Sequence, residues 1–232
     1  MIKRNYYLNR LVHNMCNGEI KVITGIRRCG KSVLLFELFY EYLLAQNISK
    51  DRIIKIALDQ RKYYIYRNPI ALCEYVEKKL EGHEDEQFFL LVDEVQFTSE
   101  VVDKQNGGIK VTIYDMLNEL KSYRNLDIYV TGSNSKMLSS DVLTQFRDRG
   151  NEIHVNPLSF AEIYDLHENK ASAFEHYTVY GGMPYIYSLK SDEEKNQYLK
   201  DLFRETYIKD ILERNNIQNE KEVLELLLDF TS

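Results

Sequence analysis

The residues best placed to do chemistry lie in GIRRCGKS, Gly25 to Ser32, directly after the β-rich run EIKVIT. The stretch fits the pattern glycine, four residues, glycine, lysine, serine in full. That spacing has a physical purpose. Glycines permit the backbone torsions that turn successive N–H groups inward, making a nest for an anion. A helix starting near Lys31 adds the positive end of its dipole. Lys31 brings a point charge to the β- and γ-phosphates of a nucleotide, and Ser32 offers a hydroxyl to a magnesium ion. On this reading Gly25, Ile26, Arg27, Arg28, Cys29, Gly30, Lys31, Ser32 and Val33 line the phosphates. Average composition yields such a match by chance in roughly one chain in a hundred of this length. A strand before it and an amphipathic helix after it make chance a poorer account. Cys29 reads either as a small filler or as a thiol whose ionisation the helix N-terminus favours. Arg27 and Arg28 could touch phosphate, pair with acids or simply be solvated.

A second group of residues suits the same chemistry. FFLLVDEVQ, Phe88 to Gln96, carries Asp93 and Glu94 at the end of a continuous apolar run. In a parallel sheet that end faces the ligand crevice. Asp93 would complete the magnesium shell with Ser32, and Glu94 would orient and deprotonate an attacking water. A carboxylate beside the metal ligand favours water as the acceptor, and so hydrolysis over transfer to a metabolite. Ser133 or Asn134, in YVTGSNS, could hydrogen-bond the γ-phosphate or the water; the alternative is an ordinary turn or helix cap. Arg147 or Arg149, in TQFRDRGNEIHV, could stabilise transition-state charge, in cis or from a neighbouring subunit. Pairing with Asp141 or Asp148 is the other reading, and spacing does not choose between the arginines.

These residues need elements to hold them. EIKVIT predicts a strand, and Leu34, Leu35, Leu38, Phe39, Tyr42 and Leu43 recur at helical spacing after Lys31. RIIKIALD, FFLLVDEVQ, LDIYVTGSNS and EIHVNPLS read as four further strands. PIALCEYVEKKL, which opens on a proline suited to a first turn, and VTIYDMLNELKSY read as helices. Strand and helix alternation predicts an α/β doubly wound sheet. The strand signal fades after Phe160, where LSFAEIYDL, the region of YGGMPYIY and EEKNQYLKDLFRETYIKDILERNN read as helical, broken at Gly181, Gly182 and Pro184. A boundary is expected near Ser159, separating a phosphate-binding core, residues 1–158, from a helical lid and the start of a further helical domain, residues 159–232. The last amphipathic run, EKEVLELLLDF, reaches the end of the sequence, and a further domain is expected beyond it.

Bulk properties exclude several classes. With 232 residues, 44% hydrophobic and 28% charged, the chain has the composition of an ordinary folded domain. A net charge of −6 gives no global case for binding nucleic acid. Three scattered cysteines form no CxxC pair, so neither a zinc site nor a disulfide framework is indicated. The start MIKRNYYLNR has no apolar core of a signal peptide, and runs such as FFLLV are too short to span a bilayer. A reducing cytoplasm, and no membrane, are the expectations.

In order, YYLNRL, VITGIRRCGKS, LLVDEVQ, VTGSNSKMLSS, RDRG, PLSFAEIY and YGGMP resemble the bacterial and archaeal ATPases of the AAA+ class. In that group a nucleotide-binding domain is followed by a helical and winged-helix region and often by a nuclease-like domain. The resemblance implies a P-loop NTPase core, a parallel sheet flanked by helices, followed by a helical lid. It implies ATP with Mg2+, with Lys31 and Ser32 in the loop, Asp93 and Glu94 as the acidic motif and Ser133 or Asn134 as the polar sensor. It places Arg147 or Arg149 near a neighbour's phosphate in a homo-oligomer. Nucleic acid would be reached only through the C-terminal region beyond this sequence. Hydrolysis driving a conformational cycle is the first functional expectation, and a nucleotide-gated switch with little turnover is the second. TSEVVDKQNGGIKVTIYD is longer than the resemblance leads one to expect, and its role is open.

Overall fold

The structure is a computed structural model that describes residues 2–104, 107–132, 150–166 and 169–204. Its backbone divides into two compact units, Met1–Ile26 with Gly30–Val155, and Arg27–Cys29 with the residues from Asn156 onward.

The first unit is built on five parallel strands: β1 (Ile20–Thr24), β2 (Ile53–Ala57), β3 (Phe88–Asp93), β6 (Leu126–Thr131) and β7 (Gly150–His154), in the order β2-β3-β6-β1-β7. β1, β3 and β6 are buried along their whole length. With both faces covered, β3 runs FFLLV without alternation, and the charged residues of β1 and β6, Lys21 and Asp127, are buried as a pair. One face carries α3 (Pro69–Leu80) and α4 (Ile113–Leu120), whose Leu72, Val76, Leu117 and Leu120 pack with Val22, Ile56, Leu90 and Val130. On the other face lie α1 (Asn5–His13) and the long helix α2, residues 31–45, whose middle, Leu34–Phe39, winds as a wide π-type turn. The Phe39 ring meets Tyr129 of β6 at 4.5 Å.

Strand order fixes where a ligand can sit. From β1 the chain leaves over two strands to the far edge, returns through β3 and β6, and then crosses β1 to reach β7. The connection leaving β1 thus runs to one side and the one leaving β6 passes β1 to the other side, a switch that opens a crevice at the carboxyl end of β1. The opposite end of the same strands is closed by a buried ion pair. Lys21 of β1 donates to the Asp127 carboxylate of β6, which also accepts from the Tyr129 hydroxyl and the Cys16 amide, each at 2.8 Å.

Two features differ from the sequence expectation. The stretch after the acidic strand contains a small antiparallel hairpin, β4 (Val101–Asp103) with β5 (Ile109–Val111). The polar sequence hid it because its strands are three residues each and half-exposed, too short for a two-residue alternation to register. Helix α4 accordingly begins at Ile113, behind a Thr112–Asp115 capping box, so Val111 belongs to the hairpin. The segment Arg61–Arg67 forms a 3-10 helix that hydrophobic periodicity at 3.6 residues does not detect.

The second unit is helical over its described residues: α5 (Phe160–Ile163), α6 (Lys170–Tyr180) and α7 (Asp192–Asp201), with 3-10 turns at Tyr164–Leu166 and Pro184–Ser188. α5 and α7 start at serine capping boxes, Ser159 with Glu162 and Ser191 with Glu194. Phe160 gathers the rings of Phe174 and Tyr177 at 5.5 and 5.7 Å. The two motifs PLSF and YGGMP meet here: the Leu158 amide donates to the Gly182 carbonyl at 2.7 Å, and the Leu158 carbonyl accepts from the Tyr177 hydroxyl at 3.0 Å. A β-carbon on Gly182 would stand 1.9 Å from that carbonyl oxygen, so only glycine fits without moving the backbone.

Gly182→Ala is therefore expected to destabilise the protein by about 1–3 kcal/mol, the usual cost of forcing atoms into a packed site. Gly181→Ala meets nothing within 4 Å but puts a side chain into a glycine-only conformation, φ 69° and ψ −161°, so its expected cost of about 1–3 kcal/mol is backbone strain alone. Thermal denaturation checks these losses, and a Gly182→Ala variant as stable as the native chain refutes the contact.

Candidate functional site

The loop between β1 and α2 has the torsions its glycines were expected to supply. Gly25 sits at φ 140° and Gly30 at φ 99°, both left-handed values that an L side chain resists. Arg28 is also left-handed, at φ 64°, although it has a side chain. Strain of this kind costs about 1–3 kcal/mol and concentrates at functional sites. Lys31 is buried, and its ammonium donates to the carbonyls of Gly25 and Ile26 at 2.9 Å each. Two of its three donors thus brace the loop that leads into the helix. Cys29 is buried, which agrees with the filler reading, and Val33 is exposed. Arg27 and Arg28 are exposed, and within the second unit the Arg28 guanidinium lies 5.7 Å from the Tyr198 ring.

Asp93 ends β3, and the structure brings it near the Ser32 hydroxyl, which favours its charged form. The register explains the second contact. β3 and β6 align Val92 with Val130, so Asp93 and Thr131 are the next residues along two neighbouring strands. The Thr131 hydroxyl donates to Asp93 and accepts from the Glu94 amide at 3.1 Å. Burial is the largest influence on Asp93 and pushes its carboxyl above the ordinary range, while the hydroxyls of Thr131 and Ser32 pull it back and the charges of Glu94 and Asp59 push it up again.

Glu94 sits just beyond the strand in a left-handed conformation, φ 60° and ψ 52°, at the start of the 3-10 turn Val95–Phe97. Its carboxylate accepts from the side-chain amide of Gln96. The strand end, the Thr131 bond and the turn together hold a residue that would otherwise relax. The chain thus puts Lys31, Ser32, Asp93, Glu94 and Thr131 at one end of one sheet. Ser133, Asn134, Arg147 and Arg149, with Asp141 and Asp148, lie outside the described residues.

Sequence reasoning passed over Thr131. The signal was present: a hydroxyl closes the apolar run LDIYVT at the same strand end as the acid. A β-branched threonine is so ordinary in a strand that its type alone carries no message.

Comparison with known proteins adds three observations. A family model described as an AAA domain matches residues 17–164, and one for a domain of unknown function matches residues 171–231. An uncharacterized protein of Haemophilus influenzae is 30% identical over 228 residues, covering 94% of this chain and 52% of that protein. One from Methanocaldococcus jannaschii is 28% identical over 239 residues, covering 95% of this chain and 48% of its own length. The chain thus spans about half the length of these curated relatives. Among solved structures, a Walker-type ATPase of Pyrococcus abyssi superposes with a TM-score of 0.52 over 99% of this chain and 76% of its own, at 17% identity, a likeness of fold.

A folded-state pKa raised above the unfolded value means that the folded protein takes up that proton more readily. The stability Asp93 contributes is then fullest at low pH and is lost as pH rises through its folded-state value. Asp93→Asn, which removes the buried charge and keeps an acceptor oxygen, is expected to melt higher than the native chain at pH 7 in chelator-containing, nucleotide-free buffer. The gap should narrow as the pH falls. A variant that melts lower at pH 7 would show that the carboxylate is not under strain.

Proposed function

The chain belongs to the AAA domain family of P-loop ATPases, and from that premise we propose that it binds and hydrolyses ATP with Mg2+, using the cycle to act on a partner. The observation that carries the proposal is the hydrogen-bonded run Asp93–Thr131–Glu94 at the strand end, with the Ser32 hydroxyl of the glycine loop near enough to lower the Asp93 pKa.

The donor set suits magnesium. A hydroxyl and a carboxylate are hard oxygen ligands, and magnesium binds through few protein groups plus phosphate oxygens. The elevated pKa of Asp93 points the same way, because a cation would relieve the cost of ionising a buried acid. Ser32 and Asp93 would hold the ion, whose chemistry is to neutralise charge on the phosphates.

The chain's own residues supply the rest. The amides of the Gly25–Ser32 loop and the helix that follows orient the β- and γ-phosphates. Lys31 needs only to exchange its carbonyl partners for phosphate oxygens, and its burial keeps it from the solvent. Glu94 holds a water in line and accepts its proton. Thr131 fixes the direction of both acids without touching substrate. Ser133 or Asn134 would sense the γ-phosphate, and Arg147 or Arg149 would reach it, in cis or in a homo-oligomer. Which partner the cycle acts on belongs to the same proposal, with nucleic acid among the classes to be tried.

The contact of Gln96 with Glu94 favours a second reading, a nucleotide-gated switch with slow turnover. One assay separates the two. Lys31→Ala should lose nucleotide affinity and turnover together; Glu94→Gln should keep affinity and lose turnover. Magnesium-dependent phosphate release and calorimetric ATP binding measure both, and tight binding with negligible native turnover supports the switch. Absence of ATP binding by folded native protein overturns both readings.

Thr131→Val preserves shape and removes the hydroxyl. Turnover should fall about 10–100-fold, as when an outer-shell partner is lost, with Thr131→Ser restoring most of it. Equal activity in all three proteins would show that Thr131 positions neither acid.

A further inference from the structure

The 3-10 helix Arg61–Arg67 between β2 and α3 has the sequence RKYYIYR. Such a helix turns once in three residues, so positions three apart share a face. Tyr63 and Tyr66 share one face and pack on the hydrophobic core. Arg61, Tyr64 and Arg67 share another. Arg61 is exposed, Tyr64 is 50% exposed, and the Arg67 guanidinium lies 4.0 Å from the Tyr64 ring. Phe97, 44% exposed, adds a second ring 5.0 Å from the same guanidinium. Arg67 is braced from beneath by its Nε, which donates to the Leu58 carbonyl at 2.8 Å, and its own carbonyl accepts from the Ser99 amide at 2.9 Å. Lys62 and Ile65, on the third face, are exposed as well.

The outward face is thus cation, aromatic ring, cation, in steps of about 6 Å along the helix. No carboxylate occurs from Gln60 to Cys73, although the whole chain carries a net charge of −6. Arg61, Lys62 and Arg67 make this segment locally positive, with Asp59 and Glu74 at its ends and Glu94 and Glu100 on either side of Phe97. A strand whose bases are unpaired presents the complement: phosphates for the cations and flat rings for Tyr64 and Phe97.

We propose that Arg61, Tyr64, Arg67 and Phe97 form a binding surface for single-stranded nucleic acid. This surface is in the first unit, apart from the C-terminal region through which the sequence resemblance implied such contacts. The Phe97 amide donates to the Glu94 carbonyl at 3.0 Å, closing the turn on which Glu94 stands. A strand stacked on Phe97 therefore bears on the turn that carries the proposed base. The binding claim itself does not require that the chain hydrolyse ATP.

The test uses the whole chain without nucleotide, and fluorescence anisotropy with labelled oligodeoxythymidine and oligouridine of about 20 nucleotides, long enough to exceed one stacking site. The two oligonucleotides tell DNA from RNA. Tyr64→Ala is expected to weaken binding about fivefold or more, the effect of losing one stacked base. Arg61→Glu should weaken it further and reduce the salt dependence by about one ion. Both side chains are exposed, and thermal denaturation verifies that the variants fold. Lys190→Glu, an exposed cation in the second unit, is the charge control and should leave binding unchanged. Failure to bind either oligonucleotide at low salt overturns the proposal. So does an equal loss with Lys190→Glu, or a Tyr64→Ala variant that changes the sedimentation mass of the protein while binding the oligonucleotides like the native chain.

Discussion

A carboxylic acid at the end of a buried strand is the constraint on which the rest of this structure depends. Asp93 is almost wholly inaccessible, and burial opposes its ionisation. The Thr131 hydroxyl donates to it and the Ser32 hydroxyl favours its charged form, and those two residues stand on different elements, the strand beside β3 and the helix after the glycine loop. Each contact demands a relation between elements. Ser32 can reach Asp93 only if α2 starts where the loop ends. Thr131 can do so only if β3 and β6 keep the register that pairs Val92 with Val130. A one-residue slip of β6 would turn the Thr131 side chain to the other face of the sheet. The acid therefore reports on the register of the whole carboxyl end of the sheet.

The sheet treats its two ends differently. At the amino end Asp127 is equally buried, but Lys21 of the adjacent strand supplies its counter-charge, and a tyrosine hydroxyl and a backbone amide fill its remaining acceptor sites. That pair is closed within the fold, and removing either partner would leave an uncompensated charge, which is far costlier than removing both. At the carboxyl end, Asp93 is hydrogen-bonded to neutral hydroxyls among the described residues. Neutral donors orient a carboxylate without cancelling its charge. One end of the sheet is electrostatically closed; at the other, under the proposed function, a cation brought by a ligand would complete the set.

Much of this was legible in the sequence, for definable reasons. GIRRCGKS and VDE stand out by residue type and spacing, and the uninterrupted apolar run FFLLV announces a sheet covered on both faces. Thr131 was not legible, because its role comes from the register of two strands far apart in the chain rather than from its type. The hairpin of Val101–Asp103 with Ile109–Val111 was hidden by brevity and exposure. The 3-10 helix Arg61–Arg67 was hidden by its period, since three residues per turn leaves no trace in a search tuned to 3.6. Ser133, Asn134, Arg147 and Arg149 rest on sequence alone.

Glu94 shows why the contacts around the strand end must act together. Its left-handed backbone stores strain, and nothing in its own side chain favours that conformation. Release would come by relaxing the backbone toward ordinary torsions, which would swing the carboxylate away from the strand end. The Thr131 hydroxyl opposes this by accepting the Glu94 amide, and the turn closed by the Phe97 amide opposes it from the other side. The same hydroxyl that aims Asp93 therefore also holds Glu94 in a position it would not keep by itself. Under the proposed function, a group that acts on water must be fixed relative to the group that would bind the metal, because both would address the same phosphate. One threonine shared by two adjacent acids provides that fixed relation with a single side chain, and it does so only while β3 and β6 stay in register.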